Sequence, residues 1–147
     1  MSTNTQIDNL KNKKNDLIES FNKILLNMIK HLGGEFKDSI FNKNKTLINN
    51  YFKFKPGEII ILFLDKVYSY DDYRKKIKDG DERFFMEQTY DDAKNAGYET
   101  RIFEFKDIWL RMNTHTKKIV KESMAMLICQ CELYLDIVSQ INKLKNE

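Results

Sequence analysis

From Glu99 to the C-terminus the chain contains neither proline nor glycine, so one helix can run unbroken through residues 116–144. Polar residues on that helix fall on a single narrow line: Glu122, Cys129, Glu132, Asp136, Gln140 and Lys143. The rest of the circumference is apolar, with Leu127 and Tyr134 near its middle. A helix that is apolar on most sides belongs at the centre of a packed domain, so everything N-terminal to it is expected to lay an apolar face against it. The fold class this predicts is all-α: a single-domain helical bundle of about six to eight helices, with long N-terminal and C-terminal helices and several short helices between.

The chain has 147 residues, 41% of them apolar and 12% aromatic, enough to fill one sizeable core, so residues 1–147 are expected to form one domain. No continuous run approaches the roughly 18 apolar residues that span a bilayer. The longest covers residues 59–64, and residues 1–12 are polar. These features predict a soluble, cytoplasmic protein made without a cleaved signal, and no membrane partner. Cys129 and Cys131 stand two apart on the last helix, where a rotation of about 200° points them to opposite sides. They are expected to be free thiols in a reducing compartment.

Charge is unevenly distributed. Residues 1–56 carry ten lysines against five carboxylates, a net +5, whereas residues 57–112 carry ten cationic against thirteen acidic residues, a net −3. A basic first third suits an anionic partner, and it equally suits a solvated surface.

Thr3 and Gln6 fit a capping box, and the apolar residues from Ile7 to Leu32 then repeat at helical spacing until Gly33 and Gly34, which are expected to end the helix. Lys13, Lys14 and Asn15 interrupt that stripe, so residues 1–14 are expected to fray or to project as a partner-binding arm. Two short helices should follow within residues 35–54, separated near residues 42–45. Pro56 and Glu58 open the next helix, and its run Ile59, Ile60, Ile61, Leu62, Phe63, Leu64 suits a buried strand as well as a buried helix. Residues 65–68 continue it without a turn signal, which favours helix. Ser69 with Asp72, and Thr89 with Asp92, make further capping boxes, Asp81 caps a short segment, and Gly80 and Gly97 close helices. Residues 98–105 lack a clear period and fit an extended connection or a lone strand, while residues 106–112 return to helix. Asn113 or Thr114 can cap the last helix.

Motifs for chemistry are absent from the sequence. His115 has no acidic or thiol partner at i+3 or i+4 and His31 has Glu35 alone, too few ligands for a metal site, so none is expected. Asp79-Gly80-Asp81 would place Lys75 and Ile77 at the first and third positions of a calcium loop, which such a loop cannot use. No serine or cysteine lies in a glycine-rich elbow, and no glycine pattern cradles a phosphate. Asp71, Asp72, Asp91 and Asp92 sit at helix N-termini, where carboxylates cap. No catalytic residue, no cofactor and no enzymatic activity are expected.

The strongest binding signal is the interleaving of cations and rings at Lys43, Lys45, Tyr51, Lys53, Phe54 and Lys55, which suits phosphate neutralisation with base stacking. Those six are the candidate nucleic-acid-binding residues. Against that reading, the rings of a helix more often pack inward, and the first 73 residues hold no arginine, the residue best suited to bidentate phosphate contacts.

A spaced set of residues runs through the chain: Pro56 before Ile59 to Phe63, then Tyr73 and Ile77, then Asp81-Glu82-Arg83-Phe84-Phe85, then Phe105 with Ile108-Trp109, then Thr116-Lys117-Lys118-Ile119. Over residues 15–140 this resembles a group of small, uncharacterised helical proteins of nucleocytoplasmic large DNA viruses, the giant viruses. The resemblance implies a viral protein of the host cytoplasm or virion, with no assigned reaction to carry over. Physically, Phe84, Phe85, Trp109, Leu127 and Tyr134 are expected to form the structural core. The function expected is non-enzymatic: a protein-protein interaction or structural protein that binds a protein partner or forms a homo-oligomer. The alternative is a nucleic-acid-associated accessory protein using the basic, aromatic N-terminal surface.

Overall fold

The computed structural model describes residues 2–86 and 99–146, the side chains of 99–104 excepted. Its described residues are helical, with no strand, in the order α1 (Thr3–Glu35), α2 (Ile40–Lys43), α3 (Lys45–Phe54), α4 (Glu58–Phe63), a π-helical turn (Leu64–Tyr68), α5 (Asp71–Lys78), α6 (Arg83–Met86), α7 (Glu99–Arg111) and α8 (Thr114–Lys145). The all-α class with two long terminal helices is therefore present as expected. The helix expected near Thr89, Asp92 and Gly97 lies outside the described residues.

Two helices form the frame. α1 and α8 are each close to 50 Å long at 1.5 Å per residue, and they make the most extensive contact in the molecule. On α1 the inward line runs through Ile7, Leu10, Leu17, Phe21, Ile24 and Met28, spaced in threes, fours and one seven. On α8 the buried line is Thr116, Val120, Ser123, Leu127, Cys131, Tyr134, Ile137 and Ile141. Such alternation is the signature of helices that pack along a shared seam. The pair is antiparallel: Ile7 clusters with Ile137 and Ile141, Phe21 with Leu127, Cys131 and Tyr134, and the Thr116 hydroxyl donates to both oxygens of Glu35 at 2.7 and 2.8 Å.

The remaining elements cover one side of this pair and one end of it. Ile59 and Ile60 of α4 close over Phe21 and Leu127, with Phe52 of α3 beside them. At the end where α1 finishes and α8 begins, Ile77, Phe84, Phe85, Ile108, Trp109 and Met112 gather around Leu32, Phe36, Val120 and Ile128. There the Phe85 and Trp109 rings stack with centroids 4.2 Å apart, and Phe84 meets Phe85 edge-on at 5.0 Å. Phe84, Phe85, Trp109, Leu127 and Tyr134 are all buried. Salt bridges Lys78–Glu132 at 2.6 Å and Lys121–Glu82 at 3.2 Å fasten the short elements to α8.

Several expectations are corrected. Ser2, not Thr3, caps α1, its hydroxyl accepting from the Thr5 N–H at 3.2 Å. Gly33 and Gly34 do not end α1, which runs on to Glu35. A Cβ at Gly33 would stand 3.2 Å from the Phe41 carbonyl oxygen, so the glycine is there to let the backbone of α2 approach. Residues 3–14 belong to α1 and do not project as an arm, since Ile7 packs against α8; Met1 lies outside the described residues. Ser69 caps nothing; its hydroxyl donates to the Asp65 carbonyl at 2.6 Å, and Tyr70 occupies the cap position of α5. Residues 99–105 are helical rather than extended, because the spacing of Phe105, Ile108, Trp109 and Met112 sets a helical phase that nothing before it breaks.

The run from Ile59 to Leu64 is helix, passing into the π turn, yet it is not wholly buried: Ile61 and Leu62 are each 49% exposed. With one layer beneath it, a run apolar on every side must leave one face in water. α8 departs from expectation for the same reason. It is not surrounded, and Met126, Leu133 and Leu135 are 47, 51 and 41% exposed.

Other signals hold as local physics. Asn113 caps α8, its side-chain oxygen accepting from Thr116 N at 2.8 Å. Gly80 follows α5 at φ 65°, the left-handed region that glycine enters without strain. Asp81 accepts from Arg83 N at 2.9 Å, and the Arg83 guanidinium folds onto the same carboxylate.

Candidate functional site

Two surfaces stand out once the core is accounted for, and both are apolar faces without a neighbour among the described residues.

The first is the outer face of α3 and α4. α3 carries two apolar lines: Ile48 and Phe52 turn toward the body, while Leu47, Tyr51 and Phe54, at i, i+4 and i+7, turn outward. Leu47 and Phe54 are 70 and 71% exposed and Tyr51 is 37% exposed. The Tyr51 hydroxyl donates to Glu58 Oε2 at 3.1 Å, and that bond raises its pKa from the ordinary tyrosine value. Glu58 opens the α4 face that continues through Ile61 and Leu62, so the bond joins the two apolar lines into one surface. No carboxylate occurs from residue 39 to residue 57, whereas Lys43, Lys45, Lys53 and Lys55 do.

The six residues singled out for nucleic-acid binding are placed unequally. Tyr51 and Phe54 lie on the outer face, against the expectation that such rings pack inward; Phe52 alone of the three turns to the core. Lys53 reaches back so that its ammonium stands 5.6 Å from the Phe54 ring centroid. Lys55 turns to Glu58 at 3.8 Å. Lys43 is exposed one turn before Leu47. Lys45 goes elsewhere, lining a cleft of about 320 Å³ between α1 and the α2–α3 segment with Ile29, Gly33 and Ile48.

The second surface is the outer flank of α8. Glu122, Met126, Cys129, Leu133, Asp136 and Gln140 follow one another at spacings of four and three and are all exposed. This line is a second seam on the same helix, apolar at its centre and polar at both ends. Cys129 is exposed within it and Cys131 faces the opposite way, where burial pushes the thiol up to about 12. Over its most apolar 18 residues α8 has a mean hydropathy of 1.3, with 33% of that window buried in the fold, so by length and composition alone it is apolar enough to cross a bilayer, as the core helix of a folded domain also can be.

Sequence reasoning named Tyr51 and Phe54 but missed Leu47, Ile61, Leu62, Met126 and Leu133 as surface residues. A signal was available for α3: ten residues with two apolar faces exceed what one supporting layer can cover. Among the described residues no group of three or more His, Cys, Asp or Glu side chains converges as metal ligands would. No family model, curated protein or solved structure matches the chain.

Proposed function

We propose that this is a non-enzymatic interaction protein that binds a protein partner, a second copy included, through the outer flank of α8. The observation that supports this reading is the solvent-facing seam with Met126, Cys129 and Leu133 at its centre. A monomer gains nothing by exposing large side chains in register along a helix, and a partner helix laid on that seam would bury them. The sequence resemblance over residues 15–140 supports a viral setting in the host cytoplasm.

The test compares the chain with a Met126→Glu, Leu133→Glu double variant. Both residues are about half exposed, so the melting temperature should stay within about 2 °C of the parent. Size-exclusion chromatography with light scattering should show an assembly of the parent that the variant lacks, if the partner is a second copy. If the partner is another protein, the parent should retain it from a cell extract and the variant should not. Equal behaviour of both proteins in both assays would remove the flank as the working surface.

A further inference from the structure

We propose that the α3–α4 face is a docking surface for anionic lipid membranes, on which Leu47, Phe54, Ile61 and Leu62 enter the headgroup region while Lys43 and Lys53 meet lipid phosphates and carboxylates. This concerns a different surface from the α8 flank and does not depend on it.

Three observations select a membrane surface over other anionic partners. The first is protrusion. Leu47 and Phe54 stand 70 and 71% exposed on a short helix, and the cleft nearby opens on the opposite wall of α3, where Lys45 and Ile48 line it. Side chains that stand out from a surface insert into a soft phase, whereas a peptide-binding site is generally concave. The second is chemistry. Three of the four inserting residues are aliphatic, which suits hydrocarbon and offers a nucleic-acid base nothing to stack on. Tyr51 sits among them with its hydroxyl held by Glu58, the amphipathic placement that tyrosine takes at a lipid–water boundary.

The third is charge. Residues 39–57 hold four lysines and no carboxylate. Two acids border the apolar residues and each has a cation beside it: Glu58 accepts from Tyr51 and stands 3.8 Å from Lys55, and Asp65, one turn beyond Ile61 and Leu62, stands 3.3 Å from Lys66. Lys53 is exposed with its ammonium 5.6 Å from the Phe54 ring centroid, so a cation stands beside the most exposed ring of the face, and a lysine stem is long enough to keep that charge at the headgroup level while Phe54 inserts. Lysine serves here as well as arginine, because diffuse attraction to a charged lipid surface needs no bidentate geometry. The surface lies flat on a membrane and spans nothing, which is compatible with an α3–α4 segment too short to cross one.

The experiment is sedimentation of the full chain with vesicles of phosphatidylcholine, with and without phosphatidylserine at about a third of the lipid. Binding is expected only to the anionic vesicles and should fall steeply as salt rises from about 0.1 to 0.5 M. Lys43→Gln or Lys53→Gln should each weaken partitioning about five-fold. Lys45→Gln should change it less than about two-fold, because Lys45 faces the cleft. Leu47→Ser and Phe54→Ser should weaken it more than about ten-fold with the melting temperature kept.

A Phe54→Trp variant supplies a direct readout, since the chain's one native tryptophan, Trp109, is buried and reports little of the surface. Its emission should shift to the blue on anionic vesicles. Failure to bind anionic vesicles, equal binding to neutral ones, or a Phe54→Trp emission that does not move would each overturn the proposal. So would binding to a single-stranded oligonucleotide that depends on Lys43 and Lys53 but survives Leu47→Ser, which would assign the face to nucleic acid instead.

Discussion

The two ends of the long helix pair are built to different standards. Where α1 finishes and α8 begins, α5, α6 and α7 converge with Phe41 of α2, Phe63 of α4 and Val67 of the π turn, and Trp109, Ile108, Phe85 and Ile128 are 1, 1, 2 and 0% exposed. Where α1 begins and α8 finishes, the two helices have, among the described residues, only each other: Ile7, Ile137 and Ile141 are buried, with Leu10, Leu17 and Leu144 partly covered. The same heptad-like spacing serves both ends. Periodicity therefore fixes which residues face inward, while stability depends on how many layers then close over them.

Substitution at each end should expose that difference. Trp109→Ala or Phe85→Ala removes a ring from a fully enclosed stack and should destabilise by about 3–5 kcal/mol. Ile141→Ala opens a space that water and the flanking chains of a two-helix contact can partly fill, so about 2 kcal/mol is expected. Denaturant unfolding of the three variants measures both. Equal losses at the two ends would show that the two-helix end is as well enclosed as the ring-packed end. Amide hydrogen exchange should agree, with residues 5–15 exchanging through local opening and residues 119–128 only through global unfolding.

The helix caps sharpen the comparison at smaller cost. Asn113 caps α8 at the ring-packed end, and its neighbour Thr116 is buried against Glu35, so a frayed first turn would also break that contact. Ser2 caps α1 at the two-helix end with every partner exposed. Asn113→Ala should cost about 1 kcal/mol and Ser2→Ala about 0.5 kcal/mol. A larger effect at Ser2 would mean that the start of α1 is more firmly held than Ile7 and its few partners suggest.

Much of this architecture was legible in the chain. The spacing from Ile7 to Leu32 and from Thr116 to Leu144 announced the two long helices, and Asp81, Gly80 and Asn113 announced boundaries because each acts through its immediate neighbours. What was not legible was coverage. Ile61, Leu62, Met126 and Leu133 are as apolar as their buried neighbours, and nothing local says that no second layer arrives. Gly33 illustrates the same limit: a glycine pair reads as a helix stop, and only the approach of Phe41 shows that the missing Cβ makes room for a neighbouring backbone. At the candidate surface the pairing of rings with lysines was visible. Which of Tyr51, Phe52 and Phe54 turns inward depended on Ile59 and Ile60 being there to receive Phe52.

Acid provides the mildest probe of the ring-packed end. Asp81 accepts bonds from the Arg83 side chain and backbone, and these hold its carboxyl below the ordinary value of 3.8, at about 2. A depressed folded-state pKa means that the ionised form favours the fold. That contribution is complete above the unfolded value near 3.8 and is lost as pH falls through the folded value near 2. Because the carboxylate is still partly open to solvent the effect is small, and it acts where Asp81 positions α6 and hence Phe84 and Phe85. The melting temperature of Asp81→Asn should lie below that of the parent at pH 6, and the gap should close between pH 3.8 and about 2. A gap that persists unchanged to the lowest pH would mean that Asp81 acts through its hydrogen-bonding geometry alone, with its charge making no difference to the ring-packed end.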